Sequence, residues 1–152
     1  MSKNEEHQLV FSMKLHDTSQ LVYGNLALIY PSGETINYLC TSGCTGFQDK
    51  DDQWVRARGP IPQREDYFVP TKPYYLPTKG IEGNFYHIQP DPVKNAAGII
   101  RGEFGIHFDA NVPGSAGCIV FKNRSGWRAF EERMIAIHKL GIKTISLKVE
   151  YN

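Results

Sequence analysis

The sequence predicts a mainly β fold with one principal α-helix, and three observations carry that prediction. Apolar and polar residues alternate with period two through most of the chain. Pro- and Gly-containing turns separate the alternating runs at short intervals. A single segment repeats its apolar residues with helical spacing. A length of 152 residues suits one domain spanning 1–152. A chain of this size buries a core without metal or disulfide staples.

The elements follow in chain order. "HQLVFSMKL" places Leu9, Phe11, Met13 and Leu15 on one side, the pattern of a half-buried strand. "LVYGNLALIY" is a second strand, and the turn Pro31-Ser32-Gly33 leads into a third, "ETINYLC". Short turns join antiparallel neighbours, so hairpin order is expected. The stretch from Asp49 to Gly83 is rich in Pro, Gly and charge, which predicts long surface loops around one strand, "DYFVP". "NFYHIQ", "FGIHF", "CIVF" and the closing "TISLKVEY" are the later strands. In "SGWRAFEERMIAIHKLG", Trp127, Phe130, Met134 and Ile137 step by three, four and three residues. That spacing predicts a helix within Ser125 to Leu140, capped by Asn123 or Ser125 and stopped at Gly141. The helix should pack behind the "CIVF" strand, with His138 as a packing residue.

Composition excludes several function classes. Apolar residues make up 41% and charged residues 22%, ordinary for a globular protein. A net charge of +1 leaves no strong electrostatic footprint, so neither nucleic acid nor an anionic membrane is expected as a partner. No run of 18 apolar residues occurs, so no transmembrane helix is expected. The segment "MSKNEEHQLVFSMKLH" lacks an apolar core of signal-peptide length. Action outside the cytoplasm would therefore need delivery by another route.

The chain has three cysteines. Cys40 and Cys44 would lie roughly 13 Å apart in an extended strand, too far for a disulfide. A turn at Thr41-Ser42-Gly43 would bring them within reach, so a bridge and a pair of free thiols both stand open. A zinc site would need further ligands, and no metal is expected.

Cys118, in "GSAGCIVF", is either a small apolar residue filling the core or a nucleophile at the lip of a strand. A thiol attacks as thiolate and needs a base in reach. His107 stands upstream in "FGIHFD". The connection "FDANVPGSAG" holds Pro113 and small residues that suit a loop turning back, which would set His107 and Cys118 at the ends of adjacent strands. The sulfur and a ring nitrogen are then expected within about 4 Å. Gly117 lets a substrate carbonyl approach the backbone, where amides form an oxyanion hole. Ser115 has two readings, a substrate contact or a loop hydrogen bond. Asp109 either orients His107 or caps the loop. His87, in "FYHIQ", either approaches the site from a neighbouring strand or is structural.

"GIHFDANVPGSAGCIVF" resembles the signature of the YkuD-like L,D-transpeptidase catalytic domain: a histidine, a loop, then Ser/Thr-x-Gly-Cys before an apolar strand. "TSGCTG", "GPIPQREDYFV" and "IQPDP" followed by "RGEFGIHFD" agree in order with the branch that includes secreted peptidoglycan-cleaving toxins. The resemblance covers roughly Val22 to Phe121. It implies a YkuD-like β-sandwich or open barrel with the principal helix after the cysteine strand. It implies that Cys118 attacks the carbonyl of an L,D-peptide bond in a peptidoglycan stem and forms a thioester, with His107 as base and no cofactor. An amine acceptor then gives transpeptidation, and water gives carboxypeptidase or endopeptidase action. Such an enzyme would work in the periplasm or cell wall, with a delivery system or an immunity partner. The commoner members carry a histidine where this chain has Ala116, an arginine at Val120 and a glycine at Phe108. Recognition of the donor carboxylate is thereby left to another residue, and Arg101 is weighed for it against a solvated surface arginine. Two other functions stand beside this one: a non-catalytic binding or structural module on the same fold, and an unrelated cysteine protease.

Overall fold

The computed structural model describes residues 6–109 and 114–152. The first five residues and Pro113 of the His107–Cys118 connection lie outside the described residues. The strands are β1 (Gln8–Met13), β2 (Gly24–Ile29), β3 (Thr35–Thr41), β4 (Arg64–Pro70), β5 (Tyr74–Leu76) and β6 (Gly83–His87). They continue as β7 (Val93–Lys94), β8 (Ile100–Arg101), β9 (Gly105–Phe108), β10 (Ile119–Phe121) and β11 (Thr144–Tyr151). The helix α1 is Arg124–Lys139.

Nine strands form one sheet in the order β4-β11-β1-β2-β3-β10-β9-β6-β5, and β7 pairs with β8 separately. The long sheet curls on itself. Phe68 N donates to Gln89 O at 2.7 Å and Gln89 N donates to Phe68 O at 2.9 Å, so β4 at one edge meets the segment leaving β6 near the other. Among the described residues the fold is mainly β with one α-helix, as expected, and the long sheet curls into a half-barrel. No helix among the described residues is long and apolar enough to cross a membrane.

Alternation placed the core strands correctly. In β1, Leu9, Phe11 and Met13 are buried while their neighbours are only partly so. Residues Trp127, Phe130, Met134 and Ile137 of α1 are all buried. They pack on Phe121 of β10, whose ring lies 5.1 Å from Trp127 and 5.0 Å from Phe130 between centroids. Tyr38 and Tyr86 meet Phe130 edge-on, each at 5.5 Å. Gly141, at φ +90°, turns the chain after the helix in the left-handed region that glycine adopts freely. His138 is a packing residue, its Nδ1 2.9 Å from the Thr71 hydroxyl.

The hairpin expectation holds for β1–β2–β3, and two pairs that no short turn joins are parallel. Strands β1 and β11 pair in parallel, and so do β9 and β10. Alternation reports which face a residue takes and says nothing about strand direction. The Asp49–Gly83 region is also more structured than a surface loop. It contains β5, and its residues Gly59, Pro60, Ile61 and Pro62 are buried.

Candidate active site

Two parallel strands position the site. Ile119 of β10 pairs with Ile106 of β9, and Val120 pairs with His107. Continued back one residue, this register sets Cys118 across from Gly105. Side chains alternate between faces along each strand, so Cys118, Gly105 and His107 share one face, with His107 one pleat further along β9. The two side chains are therefore diagonal neighbours across the pair. The sequence reading expected a loop that turns back and sets the two residues at the ends of adjacent strands, and β9 and β10 are adjacent.

In the structure the Cys118 sulfur hydrogen-bonds to the Glu103 carbonyl at 3.8 Å rather than to His107. Burial pushes the thiol up to about 11. A backbone hydrogen bond from Gly105 and the positive charge of Arg101 pull it down, and Glu103 raises it. The resting thiol is therefore protonated at neutral pH. Rapid alkylation at pH 6 to 7, which an activated thiolate would give, does not follow from this geometry.

His107 is buried in β9. Its Nδ1 lies 2.9 Å from the Phe108 carbonyl. A carbonyl only accepts, so Nδ1 carries the proton and Nε2 keeps its lone pair. Burial lowers the imidazole below its ordinary value, and the Phe108 contact partly opposes that. The ring is neutral at pH 7 and suited to accept a proton. Its orientation is held by the carbonyl of Phe108, the residue that stands where the commoner members carry glycine. Asp109 extends the β9–β10 pairing, its amide donating to Phe121 O at 3.2 Å.

Gly117 and Ser115 hold the turn before Cys118. Gly117 has φ +125°, and a Cβ there would stand 2.5 Å from Phe104 Cε1 and 2.6 Å from Arg101 Nη2. Its carbonyl accepts from Ser42 Oγ at 3.0 Å, and its amide donates to Ser115 Oγ at 3.3 Å. The Ser115 hydroxyl donates to Cys118 O at 2.6 Å and accepts from Gly43 N at 3.2 Å. Ser115 N donates to Gly43 O at 2.9 Å, and Cys44 Sγ donates to Ser115 O at 3.2 Å. The loop hydrogen-bonding reading of Ser115 is the one this geometry supports. Cys40 and Cys44 are free thiols, and Cys40 is fully buried in β3.

Arg101 is not a solvated surface arginine; it is only 4% exposed. Its guanidinium donates from Nη1 to Gln53 O and Pro60 O, both at 2.6 Å, and from Nη2 to Gly59 O and Ala116 O, both at 3.0 Å. It lies over the Phe104 ring, 5.0 Å from its centroid. These bonds join the 53–60 loop to the turn carrying Cys118 and leave Arg101 poorly placed as a carboxylate receptor.

His87 joins the site from β6. It pairs with Gly105, which puts it on the face and in the row of Cys118. Its Nε2 lies 2.7 Å from Asp91 Oδ2, and Asp91 Oδ1 accepts from Glu103 N at 3.1 Å. The Phe85 ring packs against both imidazoles, 6.3 Å from His87 and 6.0 Å from His107. It also occupies the space a Gly105 side chain would need, with Phe85 Cζ 2.1 Å from such a Cβ. Sequence reasoning missed Asp91, Glu103 and Phe85. "HIQPD" offered a signal for Asp91, a carboxylate four residues after a histidine.

Cys118 opens onto a cleft of about 620 Å³, within the range of small-ligand pockets. Arg56, Asp91, Arg101, Glu103 and Ala116 also line it. Ala57 (φ +64°) and Glu103 (φ +61°), two residues in the left-handed region without being glycine, border the same cleft. Among the described residues no cluster of three or more His, Cys, Asp or Glu side chains is arranged to hold a metal ion. Comparison of the chain with protein-family models, with curated proteins and with solved structures returned no match.

Proposed function

We propose that this chain is a peptidoglycan-directed cysteine acyltransferase or peptidase of the YkuD-like L,D-transpeptidase type, acting on L,D-peptide bonds of stem peptides. The observation that carries the reading is the placing of Cys118 and His107 on one face of the adjacent strands β9 and β10, with Cys118 opening on a cleft. The motif "HFDANVPGSAGC" supports it by resemblance. The curled sheet with α1 behind β10 is compatible with an open-barrel fold of that type.

The electrostatics favour general-base activation over a preformed thiolate–imidazolium pair. The thiol is protonated and the imidazole neutral at rest. A substrate entering the cleft displaces the sulfur from the Glu103 carbonyl. The S–H proton then passes to His107 Nε2 as sulfur attacks the carbonyl carbon. The tetrahedral intermediate collapses to a thioester, and the imidazolium returns its proton to the departing amine. Water or an amine next attacks the thioester, losing its proton to the same Nε2; the C–S bond breaks and the departing Cys118 sulfur takes that proton, restoring the thiol and the neutral imidazole. No cofactor enters this cycle.

The test is mass spectrometry of purified muropeptides after incubation with the protein. Loss of a terminal D-residue, or exchange of that residue for an added amine, supports the reading. Unchanged muropeptides across donors and acceptors refute it.

A further inference from the structure

The least ordinary group in the molecule is a buried cation. Arg101 is 4% exposed, and no carboxylate lies within ion-pair distance of it among the described residues. A charge removed from water without a counter-ion is costly, even where carbonyl dipoles satisfy its hydrogens. Four carbonyls do so here. A neutral donor side chain would serve as a staple between the loops without that cost.

The location of the charge bears on what it does. Arg101 Nη2 bonds to the carbonyl of Ala116, two residues before Cys118. It also fills the space beside Gly117 that any larger residue would take. Arg101 and Cys118 line the same cleft and lie within electrostatic reach of each other. The other charged groups around the thiol are Arg56, Asp91 and Glu103 in the cleft. His107 and His87 face it from β9 and β6. Tyr67 and Tyr151 approach Arg101 from β4 and β11, and Cys44 from the loop after β3. Glu103 opposes a thiolate and Arg101 favours one, while Asp91 is paired with His87.

We propose that Arg101 is a positioning residue for Cys118: its buried guanidinium fixes the Ala116–Cys118 turn and supplies the positive charge that stabilises negative charge on the sulfur. The inference rests on Cys118 being the nucleophile. The stabilised species forms when the S–H bond breaks and its proton passes to His107, with no change of oxidation state. Interactions realised as charge develops are the ones that accelerate a reaction.

The experiment compares the parent with Arg101→Gln, which keeps hydrogen-bond donors and loses the charge, and Arg101→Lys, which keeps the charge. Thermal melting reports folding. Iodoacetamide labelling across pH, resolved by peptide mapping, reports Cys118 apart from Cys44. We expect Arg101→Gln to label Cys118 about tenfold more slowly at pH 8, its midpoint raised by about one unit, with Arg101→Lys close to the parent. A folded Arg101→Gln protein with the parental labelling profile overturns the proposal. So does loss of folding in both variants, which would make Arg101 a staple alone. Muropeptide turnover is scored separately. A shifted labelling profile without turnover keeps the role of Arg101 and removes the peptidoglycan substrate; turnover with an unshifted profile does the reverse.

Discussion

His107 and Val120 stand opposite each other in the parallel pair of β9 and β10, so Cys118, two residues before Val120, shares the face of His107 at one pleat's remove. Cys118 lines the cleft, and His107 is buried on the shared face against the Phe85 ring.

Removing either member of the pair should separate chemistry from folding. Cys118→Ala should abolish thioester formation, since no other thiol is among the residues lining the cleft. His107→Ala should slow turnover by roughly 10²- to 10⁴-fold, the usual worth of a positioned base. Single-turnover kinetics on a stem tetrapeptide checks both.

The pH dependence follows from the direction of the His107 shift. Burial holds the imidazole below its ordinary 6.5, so it is a free base at pH 7. Activity should fall on an acidic limb whose midpoint lies below 6.5. The same sign applies to stability. Below pH 6.5 the unfolded chain takes up a proton that the folded histidine resists, so this group's contribution is present above 6.5 and is lost as pH falls through the folded value. A pH series of kcat and of denaturation midpoints measures the two effects; an acidic limb above 6.5 would assign the base elsewhere.

Gly117 is expected to tolerate no side chain. Gly117→Ala combines a strained φ of +125° with contacts of 2.5 Å and 2.6 Å to Phe104 and Arg101. The variant should lose about 1–3 kcal/mol of stability, read by urea titration. Gly33→Ala has a positive φ but meets nothing within 4 Å, so it should cost less and serves as the control.

The other cysteines differ from each other. Cys44→Ser should leave activity and stability near the parent, because a hydroxyl can donate to Ser115 O as the thiol does. Cys40→Ser places a hydroxyl at a fully buried position. It should cost about 1–3 kcal/mol without touching the chemistry of Cys118. Melting temperature and turnover, measured together, distinguish a folding cost from a catalytic one.

The parts of this fold legible in the sequence are those set by local pattern. The three-four-three spacing from Trp127 to Ile137 located the helix to within one residue at each end, because one buried stripe decides it. Period-two runs located β1 and β11, and apolar runs flanking the Pro31-Ser32-Gly33 turn located β2 and β3. Strand β5 was missed, since "YYL" is three residues between prolines and too short to show a period. The two-residue strands β7 and β8 were missed for the same reason. Parallel pairing was invisible because alternation is the same in either direction. Within the site, the types of Cys118 and His107 were legible, whereas their separation depends on a register that only the folded sheet fixes. Arg101 was misjudged because a guanidinium reads as surface until the four carbonyls that surround it are brought together from distant loops.

The most direct test of the central claim is intact-mass spectrometry of the protein mixed with a stem tetrapeptide and quenched in acid. The account predicts a covalent adduct equal to the peptide less its terminal D-residue, mapped to Cys118 and absent from Cys118→Ala. An adduct-free parent that still processes the peptide, or a Cys118→Ala protein as active as the parent, would contradict it.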